Sequence, residues 1–184
     1  MCIHKMIPDG LDSGDIIARA YLPISLDTKI KNIHDWFEKI VPQLFSKALD
    51  RLSSEPHFIL ETQSIVASEI VRCFPRRPED GEVDWSVSAD KIVRLINASG
   101  SPFVGAYSTL EDTRVHFFNG LEVKEEGRYY AVPGQILRIN DDSKSVDVAT
   151  GSGTIRLSEM KNSQGKGLNC SETFRSVRQR FIKK

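Results

Sequence analysis

Cysteine and tryptophan are scarce in this chain, charge is balanced, and no apolar run is long. Three cysteines, Cys2, Cys73 and Cys170, are odd in number and far apart. That excludes a disulfide framework and fits a reducing compartment. The four histidines, His4, His34, His57 and His116, do not stand at ligand spacing with those cysteines, so no metal site is expected. Nothing approaches the roughly 20 apolar residues that cross a bilayer, and no apolar stretch near the start is followed by small residues. The sequence therefore reads as cytoplasmic, with no membrane partner. Twenty-five basic side chains balance 25 acidic ones, which removes the charge signature of a dedicated nucleic-acid binder. Only the tail is basic, through Arg175, Arg178, Arg180, Lys183 and Lys184. Internal repeats and low-complexity tracts are also missing.

What is present is a globular balance: 184 residues, 40% hydrophobic and 27% charged, enough for one ordinary domain or two small ones. Cys2-Ile3-His4-Lys5-Met6 and Ile16-Ile17-Ala18-Arg19-Ala20-Tyr21-Leu22 predict two short strands. Between them lies a loop, Asp9-Gly10-Leu11-Asp12-Ser13-Gly14-Asp15, where glycine allows a sharp turn around Asp12. From Asp27 the period becomes helical, with Ile30, Ile33, Phe37, Val41, Leu44 and Ala48 among the apolar positions. Asp27 or Thr28 is the expected cap, Pro42 an internal kink, and one apolar face should pack on the short sheet. Glu61 to Arg72 fits either a second helix or an extended crossing. Cys73-Phe74-Pro75-Arg76-Arg77-Pro78-Glu79-Asp80-Gly81 reads as a charged linker, since proline keeps its predecessor extended.

A helix is expected over Ala89 to Ala98, capped by Ser86 or Ser88, with Ile92, Val93, Leu95 and Ile96 inward. Trp85 should anchor it on the α/β part. Beyond Pro102 the pattern turns strand-like over 105–110, 114–118, 135–139, 145–149 and 154–157. Asp141-Asp142-Ser143 and Gly151-Ser152-Gly153 supply hairpin turns. Close-spaced short strands predict a small antiparallel barrel of the oligonucleotide/oligosaccharide-binding (OB) type, with Ser171 to Phe181 as a terminal helix. The expected division is 1–80, an α/β part; 81–101, a connecting segment and helix; and 102–184, the OB-like domain.

Four stretches together resemble the folate-dependent formyltransferases, the family of methionyl-tRNA formyltransferases and sugar-nucleotide N-formyltransferases. They are the loop from Asp9 to Ile17; Arg76 to Trp85 continuing into Ala89 to Ile96 and Pro102 to Tyr107; Pro133-Gly134-Gln135-Ile136-Leu137; and Gly151 to Leu157. The resemblance implies an α/β remnant of a formyltransferase catalytic domain followed by a small OB-like β-barrel. It implies transfer of a formyl group from 10-formyltetrahydrofolate to a primary amine, through a tetrahedral oxyanion that needs donors and an amine that needs a base. Asp12 falls on the family's catalytic aspartate, and Gly10 and Gly14 shape the cofactor-side turn. The family's Asn-x-His motif lies upstream of this loop, where this sequence has only a few residues. The expectation is therefore a fragment of doubtful activity alone, either a homodimer or associated with an N-terminal half. A split, non-catalytic binding or scaffolding role is the alternative.

Asn32-Ile33-His34 spells the same triplet, but on a helix residues two apart diverge by about 200°, so it is read as helix surface. His4 is near the loop and is read as structural before catalytic. Asp15 is expected to cap or pair locally, and Asp9 to be solvated. Arg76 and Arg77 are candidate substrate-binding residues, because a guanidinium fork matches phosphate oxygens; pairing with Glu79, Asp80, Glu82 or Asp84 competes with that role. Phe117, Phe118, Tyr129 and Tyr130 are read mainly as barrel core, with ligand stacking as the alternative. The resemblance is read as favouring a nucleotide-linked amino sugar over initiator tRNA as the amine, because no lysine-arginine stripe precedes residue 156.

Overall fold

The computed structural model describes residues 1–8, 10–71, 73–124 and 130–183, grouped into two compact units. The first comprises Met1–Ile24 and Asn32–Pro75; the second comprises Ser25–Lys31 and Arg76–Lys184. Asp9, Arg72, Tyr129 and Lys184, which enter the sequence readings above, lie outside the described residues.

In the first unit β1 (Cys2–His4) pairs antiparallel with β2 (Ile16–Arg19). The helix α1 (Ile30–Ser54) continues through Pro42, and its residues 32–54 belong to this unit. Leu44 and Ala48, one turn apart, are buried on Ile17 and Ala18, as the helical period predicts. A second row of the same helix, Phe37, Phe45 and Leu49, remains exposed. After the helix the chain returns along β2, with the Leu60 N–H donating to the Ile16 carbonyl and the Ile16 N–H to the Glu61 carbonyl, both at 2.8 Å. The segment from Glu61 is thus an extended crossing with one 3₁₀ turn at Ala67–Glu69.

The second unit holds α2 (Ala89–Ser99) against a six-stranded antiparallel sheet. Its strands are β3 (Ala106–Leu110), β4 (Thr113–Val123), β5 (Ile136–Asn140), β6 (Ser145–Ala149) and β7 (Thr154–Asn162), then, after a single helical turn α3 (Cys170–Thr173), β8 (Phe181–Ile182). The order is β5-β6-β7-β4-β3-β8. Inward residues alternate along β4, with Val115 and Phe117 fully buried, which is the half-buried period of an OB-like sheet. The sheet curls on itself. β8 pairs with β3, and the same segment bonds to the start of β5 through Ile136 N–H to the Gln179 carbonyl and Phe181 N–H to the Gly134 carbonyl. Gly134 has φ +88°, and a Cβ there would collide with the Phe181 carbonyl oxygen, so only glycine serves this closure.

Three expectations change. The terminal helix from Ser171 to Phe181 is a four-residue turn, capped by Asn169, followed by an irregular path into β8. Phe174 and Phe181 leave the helical path because both are drawn into the core, where they meet at 5.8 Å. Trp85 anchors this β-rich core and not the α/β part: it stacks on Phe181 at 5.2 Å and donates to Ser108 Oγ at 2.9 Å. The helix α2, expected to be a connector, buries Ile92, Val93 and Ile96 inside the same core. No helix among the described residues is long and apolar enough to cross a membrane.

Candidate functional site

The loop between β1 and β2 is built by backbone constraints. Ile7 bridges Gly10, and the Lys5 N–H donates to the Asp15 carbonyl at 2.9 Å. A Cβ on Gly14 would collide with the Lys5 carbonyl oxygen, so glycine lets the two ends of the loop touch. The Gln63 side chain donates to the Gly14 carbonyl at 2.6 Å, pinning the loop from the extended crossing. Asp12 sits at the tip with φ +56°, a left-handed conformation uncommon outside glycine and tolerated by aspartate.

Its carboxylate is 79% exposed and lies 3.5 Å from His4 Nε2, while the His4 ring is only 22% exposed. His4 Nδ1 is 3.0 Å from the Lys5 carbonyl, to which it donates. The structure thus brings His4, at the end of β1, against the loop that carries Gly10, Asp12 and Gly14. Sequence reasoning missed Gln63, and no local signal marks it, since its segment has no clear period. A groove of about 610 Å³ in this unit is lined by Ile17, Leu44, Lys47, Arg51 and Phe58 among others, and not by the loop residues.

Asn32 and His34 are exposed on α1. Arg76 and Arg77 belong to the second unit. The Arg76 guanidinium donates to Ser99 Oγ at 2.7 Å and to the carbonyls of Asp80 and Ala98 at 3.1 and 3.3 Å. These partners differ from the carboxylates weighed for it. Arg77 uses its backbone N–H on Asp80 Oδ2 at 2.7 Å, starting the 3₁₀ turn Pro78–Gly81. Phe117 is core, Phe118 carries Lys161 Nζ 4.3 Å over its ring, and Tyr130 is fully exposed. Among the described residues no group of three or more His, Cys, Asp or Glu could hold a metal.

The family description "Formyl transferase, C-terminal domain" matches residues 76–178. This chain belongs to the formyl transferase family. Relatives of this chain include the methionyl-tRNA formyltransferase of Citrifermentans bemidjiense, 29% identical over 158 residues, covering 85% of this chain and 46% of the relative. That of Marinobacter nauticus is 28% identical over 163 residues, covering 88% of this chain and 50% of the relative. The chain spans about half the length of the curated relatives it matches. Its fold is similar to HypX from Aquifex aeolicus, TM-score 0.62 at 20% identity over 92% of this chain and 30% of that one. HypX in complex with tetrahydrofolic acid matches with TM-score 0.61 at 19% identity, over 92% of this chain and 29% of that one.

Proposed function

We propose that this chain is part of a formyltransferase that uses 10-formyltetrahydrofolate and a primary amine, with Asp12 as its catalytic carboxylate. The observation that carries the reading is the exposed Asp12 carboxylate, held at positive φ in the family's glycine loop. Met6 and Leu11, 93% and 94% exposed, give the loop an apolar surface that fits an aromatic folate. The amine nitrogen would attack the formyl carbon, the bond from that carbon to the folate N10 would break, and the proton lost by the amine would pass by way of a base to N10 of the departing tetrahydrofolate. Asp12 would orient and stabilise the histidine that receives this proton. In the family that the loop resembles, this histidine and an asparagine belong to an Asn-x-His motif upstream of the glycine loop. Among the described residues β1 has no strand on its outer edge, and with the exposed row Phe37, Phe45, Leu49 this favours association with a second polypeptide.

Of the two acceptors, the methionyl end of initiator tRNA is better supported than a nucleotide-linked amino sugar. Relatives named methionyl-tRNA formyltransferase favour it. So do two cations held beside rings on the antiparallel sheet: Arg114 over Tyr107 at 4.2 Å, and Lys161 over Phe118 at 4.3 Å, the latter also 3.7 Å from Glu159. Cations beside aromatic rings suit a phosphate-bearing acceptor.

The test is formyl transfer by the whole polypeptide from 10-formyltetrahydrofolate to methionyl-tRNA and, separately, to a nucleotide-linked amino sugar. Formyl-methionyl-tRNA is the expected product, falling about 10²- to 10⁴-fold in Asp12→Asn. Transfer to the amino sugar alone moves the acceptor to sugars, and transfer to neither overturns the reading. Sedimentation of the 184-residue chain should show a dimer or a complex with its partner; a clean monomer at high concentration counts against association.

A further inference from the structure

We propose that His4 is the positioning residue for the Asp12 carboxylate, an inference that rests on the formyl-transfer reading above. Three independent observations converge on it. The β1–β2 register slips at this residue: Ile3 faces Ala18, yet His4 faces Ile16, so β2 carries one extra residue opposite β1. A bulge of this kind re-aims side chains, and such bulges concentrate beside active sites.

The ring is then fixed from one side. Nδ1–H donates to the carbonyl of Lys5, the same carbonyl against which Gly14 is pressed. A single backbone oxygen therefore sets both the closure of the loop and the orientation of the imidazole. With Nδ1–H committed, Nε2 is the atom left for Asp12, 3.5 Å from Oδ1, and it holds the carboxylate when it too carries a proton, in the imidazolium form.

The exposures give the direction of control. The His4 ring is 22% exposed and the Asp12 side chain 79%, so the imidazole is the held partner and the carboxylate the one that needs holding. A left-handed aspartate at the tip of a glycine loop has several side-chain rotamers open to it. The contact with Nε2 selects the one that keeps Oδ1 over the loop and leaves Oδ2 for the reacting groups. Gln63, by binding the Gly14 carbonyl, keeps the loop at the height where this contact forms.

The test has a spectroscopic arm and a kinetic arm. In ¹⁵N-labelled protein, His4 Nδ1 should resonate as a protonated nitrogen in both wild type and Asp12→Asn. The His4 Nε2 resonance should move in Asp12→Asn, while the rings of His34, His57 and His116 stay in place. An unprotonated Nδ1, or an Nε2 indifferent to Asp12→Asn, overturns the proposal. In formyl transfer, His4→Ala should lower kcat about tenfold with the KM for the folate donor unchanged, as for a lost group-positioning contact. His4→Gln keeps an N–H that reaches Asp12 and should stay within about threefold of wild type. Equal losses in the two variants, or none in His4→Ala, also overturn it. If the whole polypeptide transfers no formyl group, the formyl-transfer reading fails, and the ring resonances still decide the His4–Asp12 contact. The same resonances decide it if His4→Ala fails to fold.

Discussion

Residue by residue, the most constrained positions are those where an atom has no room or a charge has one partner. Gly14→Ala should destabilise the first unit by about 1–3 kcal/mol, because a Cβ meets the Lys5 carbonyl oxygen and the loop must open; urea unfolding measures it. Asp147, 2% exposed, accepts from Arg156 Nε at 2.7 Å and the terminal guanidinium nitrogen at 2.8 Å. Arg156→Ala leaves that carboxylate buried without its main cation and should cost about 2–4 kcal/mol. Replacing both residues by apolar ones should cost less than the two single losses combined, which a double-mutant cycle reads out. His116 lies partly buried beside Tyr107, and desolvation pushes its imidazole below the ordinary histidine value, with Arg114 adding to the effect. The folded state therefore binds this proton less readily than the unfolded one. Its contribution is complete above the unfolded value of about 6.5 and is lost as pH falls through the lower folded value. The decline of the urea midpoint below pH 6.5 should be shallower in His116→Gln than in wild type.

Among the elements, legibility followed the range of the deciding contact. The strands β3 to β7 show in the sequence because Val146, Val148, Ile155 and Leu157 carry a period that needs no partner to be read. The hairpin turns at 141–143 and 151–153 show for the same reason. The C-terminal segment does not. Phe174, Val177 and Phe181 stand at three- and four-residue steps that imitate a helix, and the groups that pull Phe181 into a strand, Gly134 and β3, lie far away in sequence. The loop around Asp12 was legible through its glycines. Its contacts with His4 and Gln63 were not, because a bulge and an extended crossing leave no periodic trace. Phe181→Ala should cost about 3–5 kcal/mol, since it empties the place where Trp85, Phe117 and Phe174 meet. A substitution of the neighbouring exposed Ile182 to Thr should stay within about 0.5–1 kcal/mol of wild type.

At the scale of the whole molecule, the division into two units is not a division of the chain into two lengths. Residues 25–31 belong with 76–184. The Leu26 carbonyl accepts from Asn97 Nδ2 at 2.7 Å, and Lys29 Nζ donates to Asn119 Oδ1 at 2.9 Å and to the Phe118 carbonyl at 3.3 Å. Leu26 also packs against the core of the second unit. Residues 76–184 produced alone should unfold about 1–3 kcal/mol more easily than the same unit in the full chain, measured as a shift in its denaturant midpoint. Equal midpoints would mean that residues 25–31 contribute no stability. During synthesis this arrangement imposes an order of events: the seven residues that complete the β-rich unit leave the ribosome early and must wait, uncovered, until α2 and β4 have been made. A gene rearrangement that cut the sequence at the obvious boundary near residue 75 would part that unit from its own first segment, so the two units can be inherited together far more readily than they can be traded apart.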